Sequence, residues 1–190
     1  MKNDITPGSF AFKFRGGIWT LFFLVVLFLA KPAGGLLLSG LAAVVAGQGI
    51  RFWAAGTITR YRGEKVGAEK LVTWGPYALT RNPLYVGNGL IGAGWCLMSG
   101  NPFAFFLFAA VFFLLYVILV IPYEESFLKH SFPEEFTEYS SRVGRFFPRV
   151  FPGAGDLAGH FDPMVLWKSE RHSLWVTIAG TLLIFSRRWW

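Results

Sequence analysis

The sequence predicts an all-α protein that crosses a membrane several times, and three observations carry this prediction. Hydrophobic residues make up 54% of the 190 residues and charged residues only 15%, too few polar groups to cover a water-soluble domain. The hydrophobic residues collect in blocks long enough to span a bilayer as helices. Pro and Gly separate the blocks, and no alternation of strand and helix patterns occurs. We therefore predict a polytopic membrane helical bundle of four to five transmembrane helices with a cytosolic C-terminal helical segment, as one integral membrane domain over 1–190.

The composition also excludes other classes of protein. Disorder requires low hydrophobicity and high charge, which this chain lacks. A disulfide scaffold is excluded because Cys96 is the only cysteine. The net charge of +7 is interpreted as Lys and Arg in cytoplasmic loops and near anionic headgroups, so no nucleic-acid partner is expected.

Residues 1–56 are predicted to form an N-terminal two-helix hairpin. Its first helix is placed at about 14–30 and is retained, because no small-residue cleavage pattern follows it. Its second helix, at about 36–56, is rich in Gly and Ala, which let helix backbones approach closely in lipid. Arg51 near its end has two open interpretations, contact with headgroups or a role in binding a cofactor.

Residues 57–150 are predicted to form a catalytic core. The polar loop 57–82 leads to two helices at about 83–99 and 103–122, and the short turn between them forces an antiparallel hairpin. The amphipathic stretch 123–149 is expected to form two short helices, the second starting at a capping box over 131–134.

Residues 151–190 are predicted to be a tail with a possible fifth membrane helix near 173–186, whose apolar run of about twelve residues is short for a full span. Most Lys and Arg lie in 57–82 and 123–172, so both segments are expected on the cytoplasmic side.

A literal GxGxxG pattern begins at Gly87 but lies inside an apolar helix. The dinucleotide-binding fingerprint requires a preceding strand, so close helix packing is the favoured interpretation. Approach of a cofactor to the bare backbone at Gly87 stays open.

Two polar groups stand at the helix boundaries. Arg81 and Asn82 precede Pro83, where a capped helix start with free N–H groups attracts anions. Glu124 and Glu125 directly follow an uncharged block, where acids need partners. We expect one of these carboxylates to hold an amine-bearing cofactor and the other to pair with Arg81 or Arg145. The sequence does not decide which takes which role. A headgroup anchor stays open for Arg81, and a solvated helix start stays open for the two glutamates.

Two motifs carry a resemblance to a known superfamily. They are Leu71-Val72-Thr73-x-Gly75-x-Tyr77-x-x-x-Arg81-Asn82-Pro83-x-Tyr85-Val86-Gly87 and Glu124-Glu125-x-x-Leu128, then Glu135-Phe136-x-x-Tyr139-x-x-x-Val143-x-Arg145-x-x-Pro148. Over about 66–150, the chain resembles the isoprenylcysteine carboxyl methyltransferases and phospholipid N-methyltransferases. The superfamily usually has His where this chain has Asn82, and Asn cannot act as a base.

The resemblance implies S-adenosylmethionine as the cofactor, bound at the cytosolic face, with a lipid-like or prenylated acceptor entering from the bilayer. Arg81 would meet the cofactor's carboxylate, a glutamate its ammonium, and aromatic rings its sulfonium. The implied catalytic residues are Arg81, Glu124 and Arg145. The implied cofactor-binding residues are Leu71, Val72, Tyr77, Arg81, Asn82, Pro83, Tyr85, Gly87, Glu124, Glu125 and Tyr139. No metal site is predicted.

Two other functions stay open at this stage. One is a sterol-type reductase using NADPH, which would show a different pattern around Glu124. The other is a non-enzymatic membrane protein such as a small transporter subunit. It would need polar residues along the spans, and the block 103–122 is expected to contribute none.

Overall fold

The computed structural model describes residues 6–32, 34–58 and 69–189. The helices of this part, in chain order, are α1 (Pro7–Leu29), α2 (Gly34–Thr57), α3 (Pro76–Leu79), α4 (Pro83–Ser99), α5 (Pro102–Phe112), a π-helical segment (Phe113–Val120), α6 (Ile121–Ser131), α7 (Pro133–Arg142), α8 (Ala154–Leu157) and α9 (Pro163–Ser186). Strand-like pairing in the described residues is limited to one isolated bridge between Val143 and Pro148. The predicted all-α class is confirmed.

The first helix starts seven residues before the predicted boundary. Hydropathy placed its start at Phe14, whereas α1 begins at Pro7. Thr6 and Ser9 form a reciprocal capping box, with the Thr6 hydroxyl accepting from the Ser9 amide at 3.2 Å. A cap and a proline at the first helical position therefore set this boundary ahead of the apolar run.

The fourth predicted block does not end at Pro122. α5, the π-helical segment and α6 form one helix over Pro102–Ser131. Proline normally breaks a helix because it lacks an N–H donor. Here Pro122 lies in the first turn of α6, directly after the π-helical turns, where that donor is not needed. The same continuous helix therefore carries Glu124 and Glu125 beyond the apolar block.

The predicted break between two short amphipathic helices is confirmed, but the predicted capping box is wrong. Ser131 is the last residue of α6, and Phe132 occupies the N-cap of α7 without any side-chain hydrogen bond. The residue before a proline is disfavoured in helical conformation, and Phe132 has φ −138° and ψ 66°. Pro133 therefore causes the break.

The C-terminal helix is twice as long as the predicted apolar run. α9 comprises 24 residues, Pro163–Ser186, and packs on α2. The Asp162 carboxylate caps it by accepting from the amides of Met164 at 2.7 Å and Val165 at 3.2 Å. The polar residues before the apolar run therefore belong to the helix.

Three helices in the described residues are long and apolar enough to cross a membrane: Pro7–Leu29, Gly34–Thr57 and Pro102–Ser131. α4 has 17 residues, or about 26 Å of helix, slightly less than the hydrocarbon core of a bilayer. It packs closely against α2 and α5. The chain is therefore an integral membrane protein.

Glycines let α2 and α4 come into backbone contact. A Cβ at Gly94 would lie 2.6 Å from the carbonyl oxygen of Gly40, and one at Gly47 would lie 2.7 Å from the carbonyl oxygen of Gly87. Both distances are shorter than a real Cβ contact, and backbone atoms cannot move aside cheaply. The sequence-based interpretation of the small residues as a helix-packing surface is consistent with these contacts.

We expect Gly94→Ala to destabilise the protein by about 1–3 kcal/mol, because the added methyl forces α2 and α4 apart. The matched control is Gly49→Ala, since a Cβ at Gly49 has no atom within 4 Å. The control should leave stability unchanged or raise it slightly through helix propensity. Unfolding in detergent compares the two variants, and equal stabilities would contradict the close approach.

Candidate functional site

Glu125 bridges two arginines at the end of the bundle where α4 begins. Its Oε1 accepts from Arg81 Nε at 2.9 Å and lies 2.8 Å from Arg81 Nη2. Its Oε2 accepts from Arg145 Nε at 2.9 Å and lies 2.8 Å from Arg145 Nη2. The side chains of Arg81 and Glu125 are 9% and 12% exposed, so this pairing is shielded from water. Ion pairs with such geometry and burial are strong and directional.

Backbone contacts hold Arg81 in this position. Its Nη1 donates to the carbonyl oxygens of Ser140 at 3.2 Å and Val143 at 2.9 Å, both near the end of α7. The Arg81 amide donates to the Gly144 carbonyl at 2.9 Å, and the Thr80 hydroxyl to the Arg145 carbonyl at 2.7 Å. The residues before α4 are thereby fixed to the residues after α7. The two motifs that carry the family resemblance meet at this point.

Asn82 occupies the N-cap of α4 but does not cap it with its side chain. Its Nδ2 instead donates to the Arg145 carbonyl at 3.2 Å. The predicted side-chain cap is therefore wrong. The backbone of Asn82, at φ −129° and ψ 52°, lies outside the extended conformation that N-cap residues usually adopt. Asn82 joins the start of α4 to the segment after α7.

The two adjacent glutamates point in different directions, because neighbours on a helix are about 100° apart. Glu124 is 4% exposed, and its Oε1 accepts from the Tyr85 hydroxyl at 2.8 Å. The Tyr85 ring packs on Tyr116 with centroids 4.4 Å apart. Glu124 therefore belongs to the interior between α4 and the π-helical segment, whereas Glu125 faces the arginines.

A cavity of about 560 Å³ opens beside the Glu125 bridge. Its walls come from the start of α4, the length of α6, one face of α7 and the segment after α7. It is lined by Arg81, Pro122, Glu125, Ser126, Lys129, Phe136, Thr137, Ser140, Ser141, Arg145 and Arg149. The volume lies in the range of small-molecule sites. Four of these residues are cationic and one is acidic, so the cavity attracts anionic groups while offering one carboxylate.

Most other predicted cofactor-binding residues lie behind this cavity in apolar packing. Leu71 packs with Tyr139 in one buried cluster, and Tyr77 and Val72 belong to another against α2. Pro83 is fully buried, and Gly87 lies against the Arg51 side chain and the Gly47 carbonyl. Of the predicted site residues, Arg81, Glu125 and Arg145 are the ones that line the larger cavity.

Tyr139 joins the two motifs through its hydroxyl, which donates to the Tyr77 carbonyl at 2.8 Å. Burial raises the pKa of Tyr139 well above its usual value, so the phenol keeps its proton and remains a donor. Tyr139 also lines a second cavity of about 170 Å³ with Thr73, Arg142 and Asp156. Gly75, at the turn before Tyr77, has φ +62°, a conformation that favours glycine at this motif position.

The sequence analysis missed a polar network inside the bundle. Arg51 pairs with Glu170 of α9, with Nε at 2.9 Å from Oε2 and Nη2 at 2.8 Å from Oε1. Arg51 Nη1 also donates to Oδ1 of Asn88. The amide nitrogen of Asn88 in turn donates to the Tyr116 hydroxyl at 2.9 Å. Trp19 donates to the same hydroxyl at 2.7 Å.

The network changes two sequence-based interpretations. The block 103–122 does contribute a polar group to the interior, because the hydroxyl of Tyr116 is buried and accepts two hydrogen bonds. Arg51 forms an ion pair with the buried Glu170, so contact with lipid headgroups does not by itself describe its role. The sequence did contain one signal for this network, namely Glu170. An acidic residue this close to an apolar run requires a partner within the membrane.

The bundle and the bridged motifs define the class of protein as a small integral membrane protein with a polar site at one end of its helices. The family described as phospholipid methyltransferase matches residues 33–135, more than half of the chain. The chain belongs to this family. The match includes the start of α4, the π-helical segment and both glutamates.

The chain is similar to relatives of two named kinds, and the isoprenylcysteine methyltransferases among them support the same superfamily. A nickel-cobalt-cadmium resistance protein NccN of Alcaligenes xylosoxydans xylosoxydans is 36% identical over 75% of this chain and 68% of its own length. The cobalt-zinc-cadmium resistance protein CzcN of Cupriavidus metallidurans is 45% identical over 42% of this chain and 36% of its own. Protein-S-isoprenylcysteine O-methyltransferase B of Arabidopsis thaliana is 39% identical over 39% of this chain and 37% of its own. No solved structure matches the chain significantly.

Proposed function

We propose that this protein is an S-adenosylmethionine-dependent methyltransferase that acts on a lipid-like or prenylated acceptor at the cytosolic membrane face. The observation that carries the proposal is the Arg81–Glu125–Arg145 bridge, which joins the two family motifs beside a cavity of about 560 Å³. Family membership supports the reaction class, and the relatives that act on isoprenylcysteine support a prenylated acceptor.

The cavity residues fit the proposed cofactor in size and charge. An amino acid carboxylate suits the cationic wall formed by Arg81 and Arg145. Glu125 already accepts hydrogen bonds from both arginines, so its proposed role is to hold these cations in place. Phe136 adds an aromatic face for a sulfonium cation. When bound, the cofactor supplies an activated methyl group. Glu124 of α6 and Tyr85 of α4, which are hydrogen-bonded to each other in the interior, are proposed to hold the start of α4 against α6.

The proposed role of the chain's own residues is to bind and orient the cofactor and the acceptor and to exclude water from the site. Pro122 lines the cavity where the apolar part of the helix ends, which suits entry of an acceptor from the bilayer. Arg145 is the more exposed of the two bridging arginines, so we assign it to orient an anionic acceptor group. A carboxylate acceptor is already ionised at neutral pH and requires no base. An amine acceptor would first lose a proton, and Asn82 cannot accept it.

The cytosolic orientation is proposed from the Lys and Arg distribution. The described basic residues around the cavity, Lys129, Arg145 and Arg149, belong to the segment expected in the cytoplasm. Part of the other basic segment, residues 59–68 of the loop 57–82, lies outside the described residues.

Comparing two cofactors tests the proposal against the reductase alternative. We expect S-adenosylmethionine to raise the melting temperature of the purified protein, because a ligand that binds only the folded state stabilises it by about 2.7 kcal/mol at 100 times its dissociation constant. NADPH should leave the melting temperature unchanged. Stabilisation by NADPH and not by S-adenosylmethionine would support a reductase and overturn the proposed function.

A further inference from the structure

The segment that follows α7 presents aromatic side chains away from the protein. Within residues 145–151, which we term the basic aromatic loop, Phe147 is 80% exposed and Phe151 is 86% exposed. Val150 beside them is also exposed. Large apolar side chains clustered on one short loop indicate a surface that contacts something apolar.

The packing of Phe146 fixes where this loop lies. Phe146 packs on a cluster that includes Ala11 and Phe12 near the start of α1. The cluster also includes Val120 and Ile121, where the π-helical segment meets α6. Both α1 and the helix containing α6 are candidate membrane spans. The first turns of α1 therefore lie near a membrane boundary, and Phe146 holds the loop against the bundle at that level.

Cations without an ion-pair partner surround the same place. Lys129 and Arg149 line the large cavity, and neither forms a salt bridge with any described residue. Arg81 and Arg145, by contrast, share Glu125. The rim thus has uncompensated positive charge next to exposed aromatic rings.

We propose that the basic aromatic loop docks on the membrane surface, with Phe147 and Phe151 in the interface and Lys129 and Arg149 on the headgroups of anionic phospholipids. Aromatic rings favour the level of the headgroups, and basic residues near a membrane are attracted to acidic lipids. The occupant is a lipid surface, because exposed apolar rings and unpaired cations lie together at the boundary of the spans. This inference goes beyond the proposed methyl transfer and does not depend on it.

The test uses an environment-sensitive fluorophore on the variant Val150→Cys, which leaves the four docking side chains intact. Cys96 is buried, so labelling is directed to the new cysteine. The protein in neutral detergent is titrated with phosphatidylglycerol, with phosphatidylcholine and with inorganic phosphate. A second label, on Glu134→Cys at the exposed start of α7, serves as the control position.

We expect phosphatidylglycerol to shift the emission of the label at position 150 saturably, with little response to the other two additions or at position 134. Lys129→Gln with Arg149→Gln should weaken the apparent affinity about 25-fold, at about fivefold for each charge. Phe147→Ser with Phe151→Ser should abolish the shift. Both rings are exposed, so the melting temperature should stay that of the parent.

Three results would overturn the proposal. One is an equal response to phosphatidylcholine and phosphatidylglycerol, and another is an equal response to inorganic phosphate. The third is a response that depends on protein concentration rather than lipid, which would assign the loop to contact between copies of the chain.

Discussion

Replacing Glu125 with alanine is expected to destabilise the protein by about 3–5 kcal/mol, because it leaves two arginines without their shared carboxylate in a largely buried site. The loss of the carboxylate should affect Arg81 more than Arg145, because the Arg81 side chain is only 9% exposed. The loss should also loosen the segment after α7 from the start of α4, because Arg145 is released. Chemical unfolding in detergent measures the effect.

Glu138→Ala provides the matched control for Glu125→Ala. Glu138 also pairs with an arginine, Arg142, at 3.1 Å on a helix, but its side chain is 72% exposed. Exposed pairs contribute about 0–1 kcal/mol, so this variant should unfold almost as the parent does. Similar losses in the two variants would mean that burial of the bridge adds no stability.

Replacing Glu170 with alanine should have an effect of similar size, about 3–5 kcal/mol, on a different part of the fold. The carboxylate of Glu170 accepts two hydrogen bonds from Arg51, so its removal leaves a buried guanidinium that retains Asn88 as its partner. α9 packs mainly on α2, and both Arg51 and Gln48 of α2 donate hydrogen bonds to Glu170. We therefore expect α9 to become accessible to protease before the rest of the bundle unfolds.

A double-mutant cycle with Arg51→Ala separates the pair from general damage. If the two charges stabilise each other, the double variant should be less destabilised than the sum of the single variants by about 0.5–3 kcal/mol. Strict additivity would show that Arg51 and Glu170 act independently.

The sequence predicts the helices of this protein well because an apolar segment in lipid must satisfy its backbone hydrogen bonds internally, and a helix does so. The blocks at 36–56 and 83–99 agree with α2 and α4 to within two residues. The predicted helix boundaries were wrong where a feature other than hydropathy determines where the helix begins or ends. The Thr6 capping box extends α1, the π-helical turns carry the helix through Pro122, and the Asp162 cap starts α9 in a polar stretch.

Three of the predicted site residues lie together, but their arrangement was not predictable from the sequence. The motifs identified Arg81, Glu125 and Arg145, and these three line one cavity. The division between Glu124 and Glu125 depends on the rotation of α6 after the π-helical turns, which no local pattern encodes. Glu170 was missed because its partner, Arg51, is over a hundred residues away and only tertiary packing brings them together.

Equilibrium binding of labelled S-adenosylmethionine to the parent, to Arg81→Ala and to Arg142→Ala tests the central claim most directly. The parent should bind saturably, and Arg81→Ala should bind more weakly by about 1.5–3 kcal/mol, the usual contribution of a charged hydrogen bond. Among the described residues, the ion-pair partner of Arg142 is Glu138 at the exposed surface, so Arg142→Ala should keep the parent's affinity. Affinities are compared on protein that elutes as a folded species. A parent that does not bind, or an Arg81→Ala variant that binds as tightly as the parent, would contradict a cofactor site at the Arg81–Glu125–Arg145 bridge.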